Sequence, residues 1–240
     1  MRNIMTIATK EFKSYLASPM AYIVISIFLI FTGAFFGLIG PFNSSTYIET
    51  SIGGFLQPAS IIILLFGPLL TMRLLAEERK LGTIELLMTA PVRDSEVIIG
   101  KFLGSVGVLL VMLVFTIYYP IMLIIFGDPD IGPIGTGYLG LFLLGCASLA
   151  VGIFASSLTS NQIVSAVVAG GILLGLWFLG TAASYLPQVL GNAIGYFSPS
   201  TYFPDFMRGI IDTRGIIYYL SIIALFLFLG IRSLENSRWS

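Results

Sequence analysis

Long runs without a single Asp, Glu, Lys or Arg alternate with short polar stretches along the chain. Residues 14–48, 50–72, 102–127 and 131–204 are such runs. A helix crosses the hydrocarbon core of a bilayer in about 20 residues, because every backbone donor and acceptor must be satisfied inside the segment. The run 131–204 is too long for one crossing, and turn residues divide it: the polar Ser-Leu-Thr-Ser-Asn-Gln at 157–162 makes a tight turn. The pattern predicts six spans, at about 20–39, 52–75, 97–126, 137–157, 163–185 and 215–233, within one transmembrane domain over 1–240. The uncharged stretch 186–204 holds Pro187, Asn192, Pro199 and Pro204, a spacing that argues for short broken or re-entrant helices, with a seventh span as the alternative. The fold class expected is therefore all-α and integral to the membrane.

Composition agrees with a lipid solvent. Hydrophobic residues make up 57% of the chain and charged ones 10%, with a mean hydropathy of +0.98, against about 25% charge in a soluble domain. The charges balance at 12 basic and 12 acidic, so no overall field points to nucleic acid. Their placement is more informative. With the N-terminus in the cytoplasm, the inner connections hold Arg2, Lys10, Lys13, Arg73, Arg79, Lys80, Arg93, Lys101, Arg232 and Arg238, and the outer ones only Arg208 and Arg214. That asymmetry orients the protein with both termini inside a cell (inner or plasma) membrane and favours an even number of spans.

The absence of histidine and the single cysteine, Cys146, remove His-based metal or acid–base chemistry and internal disulfides. Intramembrane serine, metallo and aspartyl proteases need a Ser–His pair, histidines or a span Asp, and none of these is present. The charge-free runs also lack the carboxylates and bases of an ion-coupled pathway. Gly100-Lys101 lacks the remaining residues of a phosphate-binding loop. The chain is expected to be no enzyme and to bind no cofactor or metal itself.

Two inner segments are patterned differently. In residues 1–18, Ile4, Met5, Ile7, Ala8, Phe12, Tyr15 and Leu16 share about half of a helical wheel, with Thr6, Lys10 and Lys13 opposite, as in a helix lying at a membrane interface. Glu11 falls inside the apolar arc. The second segment, 73–101, holds 10 of the 24 charges. Gly82 can end a cytoplasmic extension of the second span, Thr83 can cap a short helix over 84–90, and Pro91 stops it. Asp94 or Ser95 can then cap the third span. Ile84, Leu86, Leu87 and Met88 beside Glu85 suit a groove on a soluble partner.

These features together resemble the ABC-2-type permeases, the membrane subunits of ATP-binding-cassette exporters. The likeness runs over essentially the whole chain: the N-terminal elbow, LLAEERKLGTIELLMTAPVR between spans two and three, the inner turn at 159–162 and the proline-broken region before the sixth span. It is strongest toward compact permeases related to the gliding-motility and copper-maturation branches. The resemblance implies a bacterial exporter in which two permeases, a homodimer or a pair of paralogues, rest on a separate cytosolic nucleotide-binding ATPase that carries ATP and Mg. The coupling interface it implies comprises Glu77, Glu78, Arg79, Lys80, Leu81, Gly82, Thr83, Ile84, Glu85, Leu86, Leu87, Met88 and Pro91. Tyr118, Tyr119, Tyr196, Phe197, Tyr202 and Phe203 would form an outer gate, and membrane lipid surrounds the whole. A passive channel or membrane scaffold without an ATPase partner is the alternative. Glycine pairs Gly33/Gly37, Gly100/Gly104 and Gly171/Gly175 could let helices approach closely.

Overall fold

Helices form wherever the apolar runs leave the backbone no other way to satisfy itself. The computed structural model describes residues 2–39, 52–83, 92–126 and 129–236, and those residues contain helices and no strand. In chain order the helices are α1 (Arg2–Ala17), α2 (Pro19–Ile39), α3 (Gly53–Thr71), α4 (Arg73–Lys80), α5 (Asp94–Thr116), α6 (Tyr118–Phe126), α7 (Ile131–Leu158), α8 (Gln162–Ala183), α9 (Gln188–Gly195), α10 (Pro199–Met207) and α11 (Thr213–Asn236). Among the described residues, six stretches are long and apolar enough to cross a membrane: Pro19–Leu38, Gly53–Lys80, Asp94–Phe126, Ile131–Leu158, Gln162–Ala183 and Thr213–Asn236. The chain is thus an all-α protein with six candidate membrane-spanning helices. The end where α1, α4 and the start of α5 meet is called the inner end below, after the charge bias in the sequence.

Two helix starts differ from the sequence expectation, and local capping explains both. The fourth spanning helix begins at Ile131 rather than 137, because Asp130 Oδ1 accepts from Gly132 N at 3.0 Å and Pro133 sits in the first turn, where no intrahelical donor is needed. The third begins at Asp94, with Arg93 as the last extended residue (φ −83°, ψ 146°). Neither Asp94 nor Ser95 is the cap; Glu96 reaches back to accept from Arg93 N at 3.1 Å.

α7 is the central post, buried almost throughout from Gly140 to Ala155, and α3 and α11 pack most extensively on it. Its glycines make the close approach. A Cβ at Gly145 would stand 2.6 Å from Leu109 Cδ2 on α5, and Gly152 presses on Thr71 of α3. Pro68 of α3 has no N–H to give Leu64 O, and Ser148 of α7 points its hydroxyl at that carbonyl (3.5 Å) and at Ile63 O (3.3 Å).

The uncharged stretch before the last span is broken as its prolines predict. Pro187 precedes α9, Pro199 opens α10, and at 8 and 9 residues neither helix can cross a membrane. Ser198 and Ser200 both donate to Trp177 O at 3.0 Å, which pins the start of α10 to α8.

Candidate functional site

Three helices converge at the inner end. α1 runs beside α5 in the same direction: Ile7 meets Gly100, Ala8 and Glu11 meet Gly104, and Phe12 meets Gly107. A Cβ at Gly104 would lie 2.7 Å from Glu11 Cβ and 3.1 Å from Ala8 O, so this seam exists only because the α5 face is bare. Much of the apolar arc of α1 is therefore covered by protein, while Met5 and Leu16 stay exposed. The Gly100/Gly104 pair serves contact within the chain. Nothing stands within 4 Å of a Cβ at Gly37, Gly171 or Gly175.

Glu11, the misfit in that arc, has a partner. Lys101 on α5 is 2% exposed, and its ammonium gives one proton each to Glu78 Oε1 (2.7 Å), Leu74 O (2.9 Å) and Glu11 Oε1 (3.1 Å). All three donors of the lysine are used, and one ion ties α1, α4 and α5 together. Lys101 lies in the third spanning stretch, Asp94–Phe126, directly before the charge-free run that begins at Phe102, and persists there because two carboxylates and a carbonyl replace its water. Glu78 Oε2 is buried without a hydrogen-bond partner, as follows when two carboxylates share one ammonium.

Tyr15 adds a second tie. Its hydroxyl donates to Leu70 O at 2.7 Å and lies 3.5 Å from Ser105 Oγ. Burial pushes its phenol up from the ordinary value, so it stays a neutral donor. The Arg73 guanidinium sits 4.8 Å from the centre of the Tyr15 ring and donates through Nη1 to Ser18 Oγ at 2.9 Å.

The extension of the second span is not one unbroken helix. Hydrogen bonding is interrupted at Met72, although that residue keeps helical dihedrals (φ −54°, ψ −32°) and the axis carries on into α4. Ser156 of α7 repairs the interruption: its Oγ accepts from Leu75 N (3.1 Å) and Ala76 N (3.0 Å) and donates to Met72 O at 3.0 Å. α4 ends as expected at Gly82, whose φ of +70° suits glycine, and Thr83 Oγ1 donates back to Glu78 O at 3.3 Å. At the far side of the connection, Asn3 Nδ2 of α1 donates to Glu96 at 3.2 Å. The far end of the connection is thus fastened to α1 directly, and the near end through Lys101.

The docking residues expected from the sequence divide accordingly. Glu77, Lys80, Leu81, Gly82 and Thr83 are exposed, Arg79 is half-buried, and Glu78 is turned inward to Lys101. Ile84, Glu85, Leu86, Leu87, Met88 and Pro91 lie outside the described residues. Lys101, Tyr15 and Ser156 were not singled out by sequence reasoning. Their signal was a pair of misplacements, an acid in an apolar arc and a lysine at the head of an apolar run.

The rings expected at an outer gate fall into two groups. Tyr119 is buried on α6, donates to Leu29 O at 3.3 Å and packs 4.8 Å from both Phe36 and Phe55, with Tyr118 beside it. Tyr202 stacks on Tyr218 at 4.6 Å and donates to Tyr196 O, while Phe203 is buried against Trp177. Tyr196 and Phe197 are exposed. Among the described residues no ring contact joins the two groups, and no three His, Cys, Asp or Glu side chains gather as metal ligands would.

Comparison with known proteins accords with this architecture. The profile of the ABC-2 family transporter proteins matches residues 39–231. A probable multidrug ABC transporter permease, YbhS, of Escherichia coli K12 is 29% identical over 196 residues, covering 75% of this chain and 49% of the relative, and its counterpart in strain O157:H7 matches equally. The chain spans about half the length of the curated relatives it matches. With six apolar helices and a match over most of its length, the chain belongs to the ABC-2 family of transporter proteins.

Proposed function

We propose that this chain is the permease subunit of an exporter whose work is supplied by a separate cytosolic nucleotide-binding ATPase, with ATP and Mg held on that partner. One observation carries the reading: Lys101 joins α1, α4 and α5 around a buried ion cluster, and the connection between α4 and α5 springs from that platform. A push on the connection acts on a braced three-helix corner. α4 also lies against α7 and α8, so displacement passes to the fourth and fifth spans. Two such permeases, identical or paralogous, would enclose the pathway in the inner or plasma membrane of a bacterium, termini in the cytoplasm, and the exposed Tyr196 and Phe197 would border its exit. The relatives are described as multidrug permeases, which fits an apolar pathway and amphipathic cargo.

The reading is tested by co-purifying the full chain with the candidate ATPase from the same genome. Wild type should retain the ATPase and Leu87→Glu/Met88→Glu should lose it. Retention by the double variant would remove the docking assignment, and no association of any ATPase with wild type would favour a channel or scaffold.

A further inference from the structure

At the end opposite the ion cluster, a cavity of about 390 Å³ opens between the first turns of α3, the last turns of α8, and α10. Gln57, Ser60, Thr181, Ser184, Ser200 and Thr201 supply its polar lining, with Trp177 and Phe203 as apolar walls. A second cavity of about 620 Å³ shares Gly180, Ser184 and Thr201 with it and continues toward Gln188 and Asn192 of α9. The two are therefore one hydrogen-bonding surface, and no Asp, Glu, Lys or Arg lines either.

Most of the hydroxyl protons there are already spent on the fold. Ser60 gives its proton to Gln57 O, Ser184 to Gly180 O, Thr201 to Gly195 O, and Ser200 to Trp177 O. Two side chains are left over: among the described residues, neither the Gln57 amide nor the Thr181 hydroxyl has a hydrogen-bond partner. Both side chains are exposed to the open cavity, so their donors and acceptors are free to bind whatever polar group occupies it. A charged group would enter without a counter-ion, which a partly desolvated site does not tolerate.

We propose that this cavity holds the uncharged, hydrogen-bonding head of an amphipathic molecule. Gln57 both donates to and accepts from the head, Thr181 donates, and Trp177 and Phe203 take the adjoining apolar part. Only the naming of this occupant as cargo rests on the export reading, since binding is measured without ATP or a partner.

The test uses the full chain in lipid nanodiscs. With two tryptophans in the sequence, Trp239→Phe leaves Trp177 as the sole indole reporter. Octyl glucoside, octyl phosphate and octyltrimethylammonium are titrated below their micellar concentrations. Octyl glucoside should change Trp177 emission saturably, and both charged probes should bind at least about tenfold more weakly, with Gln57→Leu weakening the glucoside by about tenfold, the worth of one hydrogen bond. Gln57→Glu, which keeps the side chain's size, should shift preference to octyltrimethylammonium. Equal response to the three probes, or unchanged glucoside binding in Gln57→Leu, would overturn the proposal. Saturable glucoside binding by a chain that retains no ATPase would sink the export reading and leave this site standing.

Discussion

Lys101 shows how one residue can sit against the chemistry of its surroundings and still be held firmly. Its three protons meet three acceptors within 3.1 Å, so the ammonium gives up water for a complete replacement shell. Breaking a buried pair by removing one member costs more than the pair contributes, because the remaining charge is stranded. Lys101→Met should therefore destabilise the protein by about 3–5 kcal/mol, seen as a clear fall in melting temperature in detergent. The triple variant Lys101→Met/Glu11→Gln/Glu78→Gln should recover most of that loss, since no unpaired charge remains. If single and triple variants melted together, Lys101 would be acting through packing and the ion cluster would be incidental.

Among the helices, two joints would decide, under the proposed coupling, whether a push on the 84–91 connection reaches the rest of the bundle. The first is the interruption at Met72, closed by Ser156. Ser156→Ala leaves two buried amides and a carbonyl without that partner, an expected cost of about 1–3 kcal/mol. Hydrogen exchange at Leu75 and Ala76 should speed up while exchange in the middle of α7 does not change. The second joint is the α1–α5 seam. Gly104→Val forces α1 away from Glu11 Cβ and Ala8 O, so limited proteolysis in detergent should cut within α1 faster in that variant than in wild type, and equal cutting would show that the seam does not hold α1. The spanning helices were legible in the sequence because lipid admits few solutions for a charge-free run, and Gly82 and the prolines marked their own stops. The joints were not legible. Ser156 lies 81 positions from Leu75 and Lys101 lies 90 from Glu11, and no local pattern tells which distant backbone gap a serine will close. The start of α5 is hard to read for a related reason: both Asp94 and Ser95 suit a cap, yet Arg93 takes that place, with Glu96 accepting from its N–H while Asn3 on α1 holds the carboxylate.

Over the whole molecule, charge and topology support each other. The end of α11 lies beside the end of α7, where Ser233 Oγ donates to Ser157 O at 3.2 Å, and Arg232 pairs with Glu235 at 2.8 Å nearby. α1, α4 and the start of α5 gather at the same end, so an even number of crossings returns the chain to the side it left. Asp130, Asp205, Arg208, Asp212 and Arg214 sit at the opposite end, where the connections are less basic. If the inner end faces the cytoplasm, then in a Cys146→Ser background Thr83→Cys should react with a membrane-impermeant maleimide only in inverted vesicles, and Arg208→Cys only in right-side-out ones. Thr83 is exposed just past the Gly82 stop, so its thiol reports the platform's accessibility without disturbing the ion cluster. Adding the partner ATPase should slow labelling at Thr83 severalfold and leave Arg208 unaffected. Labelling of Thr83→Cys from the outside would put the braced corner where no cytosolic motor can press on it. The cluster around Lys101 would then be a purely structural clamp, and the force-bearing role assigned to α4 would be lost.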